Sequence, residues 1–492
     1  MSSGEVIIIG SGFSGLATAA LCAKQGFHVV VVEKNDQPGG RASVWKEGGF
    51  TFDMGPSWYL MPDVFERYFA EFGKKPEDLM NLVRLDPSYR VFFGEGDTMD
   101  IHADLNKNLA NFDKMEENGA EKMKKYLESA RYQYDIAMNE FIYKDYQHLT
   151  DFFNRKLVME GAKLHMFDKL DHYAQRFFQN PKIRKILEYN IVFLGGTPYN
   201  TPALYALMSH VDFNLGVWYP IGGMGKLVEA FYKLGESHGV EYRFNEEVKK
   251  IEIEKKRAKK VVTNSDTYEA DIFVVNADYA YAETQLLDKK HQTHPQKYWE
   301  GKSIAPSALL FFLGLNKRLD NLIHHNLYFH PDWEKHFDTI FKKPAWPDEP
   351  SYYVSCPSKT DDSVAPKDGE NIFILVPVAP GLDDNPKIRE IYYEKILGHL
   401  ENLIKESIKD SVVVKRSFAH NDFSQLYNAY KGTALGFAHT LRQTAIFRPR
   451  HKSKKVQNLY YTGHYTHPGI GVPMVVISSQ ILSEVIGSEY NA

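Results

Sequence analysis

Two apolar runs near the start of the chain, residues 6–9 and 29–32, contain no polar residue, and the first ends on a glycine while the second ends on an acid. Uninterrupted runs of this length are the pattern of strands buried on both faces of a parallel sheet. Residues 16–24, between them, are rich in Leu and Ala, so the predicted order is strand, turn, helix, strand. The pattern then changes. Residues 60–190 carry long charged amphipathic stretches, 119–149 among them, that predict helices. A helix is predicted over 226–237, with strands at 240–244, 248–253, 260–263 and 272–276. Farther on, 308–315, 351–355 and 372–378 read as strands and 388–409 as a helix. Near the end, a β-rich run at 458–462 precedes a helix starting close to Val472.

No internal repeat or low-complexity linker separates these blocks, so the domains interleave rather than follow one another. The expected class is α/β. A Rossmann-like layer is drawn from residues 1–60, 216–300 and 445–492. Residues 61–215 form a largely helical lobe, and 301–444 a β-sheet and helix substrate domain.

At 492 residues the chain can enclose a large ligand, and an aromatic share of 14% suits an apolar cavity as well as an aromatic-rich core. A net charge of −4 from 59 basic and 63 acidic residues argues against nucleic acid as a partner. Cys22 and Cys356 stand far apart with no Cys/His cluster, so neither a disulfide framework nor a zinc site is expected, and a reducing cytoplasm fits. No run approaches the roughly 20 apolar residues that span a bilayer. A peripheral membrane contact is compatible with the segment around 152–178, where Phe152, Phe153, Leu157, Met166, Phe167 and Phe177 alternate with Lys and Arg, and equally this stripe fits packing against the sheet.

The first turn carries chemistry. Gly10-Ser-Gly12-Phe-Ser-Gly15 lies between strand and helix, and Glu33 closes the second strand 18 residues past Gly15. Gly10 permits a tight turn, Gly12 lets a pyrophosphate approach the backbone, and Gly15 brings the helix onto the sheet. Phe13 and Ser14 open a helix whose free N–H groups face the anion. Glu33, with Lys34 beside it, would accept hydrogen bonds from a ribose, and an acid there disfavours a 2′-phosphate.

Gly39-Gly40-Arg41 follows, and the run from Glu33 to Arg41 resembles the segment after the ribose acid in flavoproteins of the amine oxidase and phytoene desaturase superfamily. The stretch Gly49 to Ser57 resembles the next signature of that family, which sets Gly55, Pro56 and Ser57 beside an isoalloxazine ring. Asp53 is expected to hold the backbone of its own turn. At the far end, the run from Asn458 to Met474 resembles the C-terminal signature of bacterial carotenoid desaturases, with Thr466-His-Pro-Gly469 at its centre. The resemblance implies FAD as cofactor, Gly463 at one phosphate, and Gly471, Val472, Pro473 and Met474 at the flavin's pyrimidine edge. It also implies Val248 at the adenine, with Asn276 and Ala277 ending a strand near the cofactor. One departure stands out: many relatives carry an acid after the glycine equivalent to Gly463, and here that residue is His464.

The resemblance further implies desaturation of an acyclic carotenoid such as phytoene, peripheral contact with a membrane, and oxygen or a quinone as electron acceptor. A 1-hydroxycarotenoid 3,4-desaturase of the same family is the alternative, with a flavin amine oxidase or a polyene saturase more distant. No GxSxG, HExxH or paired-carboxylate motif is present. Asp151, Arg155, His464 and His467 are the candidates for an acid or base, and none is singled out.

Overall fold

A computed structural model describes residues 4–146, 164–165, 168–440 and 442–490. Its centre is a parallel sheet with Leu459–Tyr461, Ile272–Val275, Glu5–Ile9, His28–Val32 and Glu241–Arg243 side by side in that order. Val6, Ile8, Val29 and Val31 pack on Ala19, Cys22, Leu482 and Ile486 of two helices, Phe13–Lys24 and Val472–Tyr490. Ile7, Ile9, Val30 and Val32 face the other way, onto Val248, Ile251 and Val261 of a three-stranded antiparallel sheet. Burial on both faces is the physical reason that these strands read as unbroken apolar runs. The helix Val472–Tyr490 lies against Phe13–Lys24, and neither has an exposed apolar residue to account for.

The second sheet has seven strands, in the order Val412–Phe418, Ser307–Leu315, Glu370–Val378, Tyr352–Ser355, His325–Tyr328, Tyr89–Gly94 and Asp97–Ile101. All nine residues of Ser307–Leu315 are buried, with Leu309, Phe311 and Leu313 against the helix Pro386–Ile404 and Leu310 and Phe312 on the opposite face. Two of its strands, Tyr89–Gly94 and Asp97–Ile101, come from the segment read as helical lobe. Asp97–Ile101 offers only Met99 and Ile101, both buried, as apolar residues, a short alternation that the helical pattern of the surrounding segment hides. The predicted helix over 388–409 stops at Ile404, where Lys405 turns left-handed at φ 58°, and 119–149 is helical as Gly119–Ile136 before a wider turn, Ala137–Phe141.

Asp53 differs from expectation. Its carboxylate accepts the N–H groups of Met224 at 2.7 Å and Gly225 at 3.0 Å, so it caps the helix Met224–Ser237 from across the fold instead of holding its own turn. Burial pushes this carboxyl up to about 6. The cap locks the strand Phe50–Asp53 to that helix.

Removing this cap in Asp53→Ala is expected to cost about 1–2 kcal/mol of stability, measured by chemical denaturation. Glu188, at the end of Pro181–Glu188, is pushed up to about 8 by burial. The folded state therefore holds its proton more firmly than the unfolded chain, and the stability this confers is complete below the ordinary carboxyl range and lost as pH rises through 8. Glu188→Gln should raise the melting temperature more at pH 9 than at pH 5; an equal gain at both would refute this.

Candidate active site

The carboxyl ends of the parallel strands converge on a cavity of about 790 Å³. Gly10, Gly12, Phe13, Ser14, Glu33, Lys34, Gly39, Gly40, Arg41, Gly55, Pro56, Ser57, Val248, Asn276, Ala277, Gly463, Gly471, Val472, Pro473 and Met474 line it. Gly15 lies one layer down. A Cβ there would come 2.1 Å from the Gly10 oxygen and 2.8 Å from Asn276 Oδ1, so this glycine serves the contact of helix with sheet.

At the polar pole, backbone meets backbone. The Gly39 N–H donates to the Ser11 oxygen at 2.8 Å, and a Cβ on Gly40 would meet Gly12 Cα at 3.5 Å. Gly10 and Gly39 hold φ of 99° and 109°, values that a side chain disfavours. The helix Phe13–Lys24 starts with no side-chain cap and no acid in its first turn, which leaves its N–H groups and positive end to the cavity. Glu33 is held at both oxygens: Oε2 accepts from the N–H and hydroxyl of Ser11, each at 2.8 Å, and Oε1 accepts from the N–H and Nδ2 of Asn35 at 2.9 and 3.0 Å.

Two orphaned atoms test whether a dinucleotide fits here. Arg41 Nε and Asn276 Oδ1 are buried without a hydrogen-bond partner among the described residues. One donor and one acceptor left open inside a glycine-lined cradle suit a ligand with phosphate oxygens and a polar heterocycle. Asp278, which the sequence reading passed over, also lines the cavity and sits 3.9 Å from the Arg41 guanidinium. Its signal was its place directly after Asn276-Ala277, at the end of a buried strand.

Opposite, Gly471 at φ 115° leads into Val472–Tyr490, and Gly471 to Val475 line the wall. Pro473 has no N–H, so Val472 and Met474 are the donors at this positive helix end. The turn before it is rich in histidine. His467 is joined to Pro468 by a cis bond and its Nε2 lies 3.0 Å from the Ile142 oxygen; burial pushes this imidazole down to about 3. His464 is held well below the ordinary range by burial, with Arg41 and Arg448 adding to it. His439, also missed in the sequence, is held well below the ordinary range by burial, with Arg448 and His467 adding to it; its Nε2 accepts the Ile470 N–H at 3.1 Å and its Nδ1 lies 2.7 Å from the Tyr205 hydroxyl. These rings are neutral near pH 7.

From this pole an apolar arm runs past Trp58, Leu60, Phe193, Leu194, Leu310 and Leu375, between the seven-stranded sheet and the helical lobe. Asp151 and Arg155 lie outside the described residues, as do Phe152, Phe153, Leu157, Met166 and Phe167. Phe177 is partly buried against Tyr126, with ring centroids 5.3 Å apart. Among the described residues no group of His, Cys, Asp and Glu could hold a metal ion, and no helix is long and apolar enough to cross a membrane.

The family model for flavin containing amine oxidoreductase matches residues 13–486. A carotenoid 3,4-desaturase of Haloarcula japonica is 46% identical over 99% of this chain and 98% of its own. A zeta-carotene-forming phytoene desaturase of Myxococcus xanthus is 32% identical over 98% of this chain and 93% of its own. Among solved structures, a fatty acid isomerase from P. acnes has the same fold, with a TM-score of 0.61 at 14% identity, covering 100% of both chains.

Glu33→Ala removes the acid that the sequence pattern assigns to a ribose. The loss of hydrogen bonds to a charged group, about 1.5–3 kcal/mol, predicts a fall in FAD affinity of roughly ten- to a hundredfold, read by titrating the apoprotein with FAD.

Proposed function

The chain belongs to the flavin containing amine oxidoreductase family, and from that premise we propose that it is an FAD-dependent carotenoid desaturase, acting on CH–CH groups of a long polyene. The observation that carries this reading is the continuity of a single cavity: a glycine cradle at one pole and an apolar arm at the other. Bound FAD supplies the redox chemistry, taking a hydride and so two electrons from one carbon while a proton leaves its neighbour and a C=C bond forms.

In this reading Gly10, Gly12, Gly39 and Gly40 give the pyrophosphate its approach, Glu33 holds the ribose, and Val248 and Ala277 face the adenine end. Arg41 and the helix end at Val472 and Met474 would hold the ring and favour negative charge on it. Leu310, Leu375 and Phe193 align the polyene and exclude water. Neutral His464 and His467 are poor proton acceptors, because burial opposes their charging, with Arg41 and Arg448 adding to it at His464 and His451 and Arg448 at His467. Oxygen or a quinone would serve as the electron acceptor.

Gly39, Gly40 and Arg41 are intact, which favours an enzyme over a carrier on the same fold. Phe447 lines the cavity and is 53% exposed, so the arm reaches the surface through an apolar residue. That supports peripheral adsorption to a membrane, from which the substrate would enter. Cys22 and Cys356 are buried free thiols, in keeping with the cytoplasm. Acyclic carotenoids such as phytoene and 1-hydroxylated carotenoids both suit the arm. The 46% identity to a 3,4-desaturase, against 32% to a phytoene desaturase, favours the 3,4 bond of a hydroxylated substrate.

The deciding experiment is anaerobic incubation of the FAD-loaded protein in liposomes with phytoene and, separately, a 1-hydroxylated carotenoid. Flavin bleaching together with a red-shifted polyene band is expected, and expected first with the hydroxylated substrate. Flavin that stays oxidised with both would overturn the desaturase reading.

A further inference from the structure

One wall of the cradle comes from outside the parallel sheet. Phe423, Leu426, Tyr427 and Asn428 line the cavity together with Glu33, Lys34 and Asn35. These four belong to the helix His420–Tyr427 and the residue after it, which the strand Val412–Phe418 of the seven-stranded sheet leads into.

The two ends of the segment 420–432 lie together. A Cβ on Gly432 would come 2.8 Å from His420 Cα. Both ends are held at the seven-stranded sheet: His420 Nε2 lies 2.7 Å from the Ala379 oxygen, and the Ser307 hydroxyl donates to the Gly432 oxygen at 2.6 Å. Between these anchors the chain turns back through two left-handed residues, Asn428 at φ 52° and Lys431 at φ 55°. A loop whose ends nearly touch can move about them as one piece while the sheet stays still.

Polar contacts hold the tip of this loop to the cradle. Lys34 Nζ, 3.5 Å from Glu247 Oε1, donates to the Gln425 oxygen at 2.5 Å and to Asn428 Oδ1 at 3.0 Å. Asn35 Nδ2 donates to the Leu426 oxygen at 3.2 Å, and the Tyr427 hydroxyl lies 3.2 Å from that of Ser43. The Arg41 guanidinium sits 5.8 Å from the centre of the Tyr427 ring. The cradle loop therefore grips the tip on both sides of Gly39-Gly40. Each such bond exchanges with water at little net cost, so the grip can open without unfolding the sheet behind it. Asn35 also donates its N–H and Nδ2 to Glu33, which ties the grip to the acid that the sequence pattern assigns to a ribose.

We propose that residues 420–432 are a strap over the dinucleotide end of FAD. Leu426, Tyr427 and Asn428 hold the cofactor from the side of the seven-stranded sheet, Lys34, Asn35 and Ser43 latch the strap shut, and it swings out for FAD to enter or leave. This rests on FAD as the cofactor and on no choice of substrate.

The test follows FAD binding to the full-length apoprotein by stopped-flow flavin fluorescence. A weaker latch favours the open strap in the free and the loaded protein alike. Association and dissociation should therefore both quicken, roughly tenfold in Lys34→Met and two- to fivefold in Ser43→Ala, with Kd moving less than either rate. Loss of a cofactor contact alone would speed dissociation and leave association unchanged, and that result in both variants would overturn the strap. Hydrogen exchange of the wild-type protein gives a second readout that stands even if a variant fails to fold. FAD should slow the amides of 420–432 more than those of the helix Pro386–Ile404, which packs on the same sheet. Equal exchange at 420–432 with and without FAD would overturn the proposal. Neither readout involves desaturation, so a strap that gates FAD in a protein inert to both polyenes would support this inference and count against the desaturase reading.

Discussion

Backbone contact between the loops at Gly10, Gly12, Gly39 and Gly40 is the constraint on which the rest of the site depends. A side chain at any of these positions would fill the space or force a strained φ. The contact exists because Glu5–Ile9 lies in the middle of the parallel sheet, with His28–Val32 on one side and Ile272–Val275 on the other. Every loop that leaves the carboxyl end of these strands emerges at the same edge, whatever its place in the sequence. Leu459–Tyr461, nearly 200 residues downstream of Ile272–Val275, is thereby brought into the same cradle.

The cavity has two dielectric regimes joined end to end. At the cradle, backbone N–H groups, Arg41 and two helix ends present positive potential to an anionic ligand. Along the arm, leucine and phenylalanine leave little to solvate charge, so a polyene is favoured and water is not. Asp278 tempers the cradle: burial raises its carboxyl, while Arg41 and the Tyr465 hydroxyl at 2.8 Å favour its charged form. The Arg41–Asp278 pair sits where the two regimes meet, and one charge there offsets the burial of the other.

Residues whose role is set by local chain geometry were legible in the sequence. Gly10, Gly12, Gly15 and Glu33 follow a spacing dictated by a strand, a tight turn and a helix, and that spacing survives in any protein using the same phosphate approach. Asp53 was misread because its partners, the N–H groups of Met224 and Gly225, lie 171 and 172 residues away and share no pattern with it. The strand Tyr89–Gly94 was missed although the turn Gly94-Glu95-Gly96-Asp97 joins it to Asp97–Ile101, because its other partner, His325–Tyr328, lies more than 200 residues away and the helical pattern of the surrounding segment dominates.

The histidine-rich turn depends on a cation that no motif announces. Arg448 is 4% exposed and donates to four backbone oxygens, those of Thr466 at 3.0 Å, Gln443 at 3.2 Å, Phe437 at 3.1 Å and His464 at 2.5 Å. Carbonyl dipoles, not a carboxylate, carry its charge, and burial brings its guanidinium down to about 10, still charged at neutral pH. Two of those bonds, to the oxygens of His464 and Thr466, hold carbonyls of the histidine-rich turn itself. Burial keeps His439, His464 and His467 neutral, and the charge of Arg448 adds to that effect at all three. A wall of neutral rings next to the flavin pole leaves Arg41 and the helix end at Val472 as the sources of positive potential there. In the proposed reading, the neutral ring of His464 stands where many flavoproteins of the resembled superfamily carry an acid, so no negative charge is added at the end of the cavity that would hold the flavin.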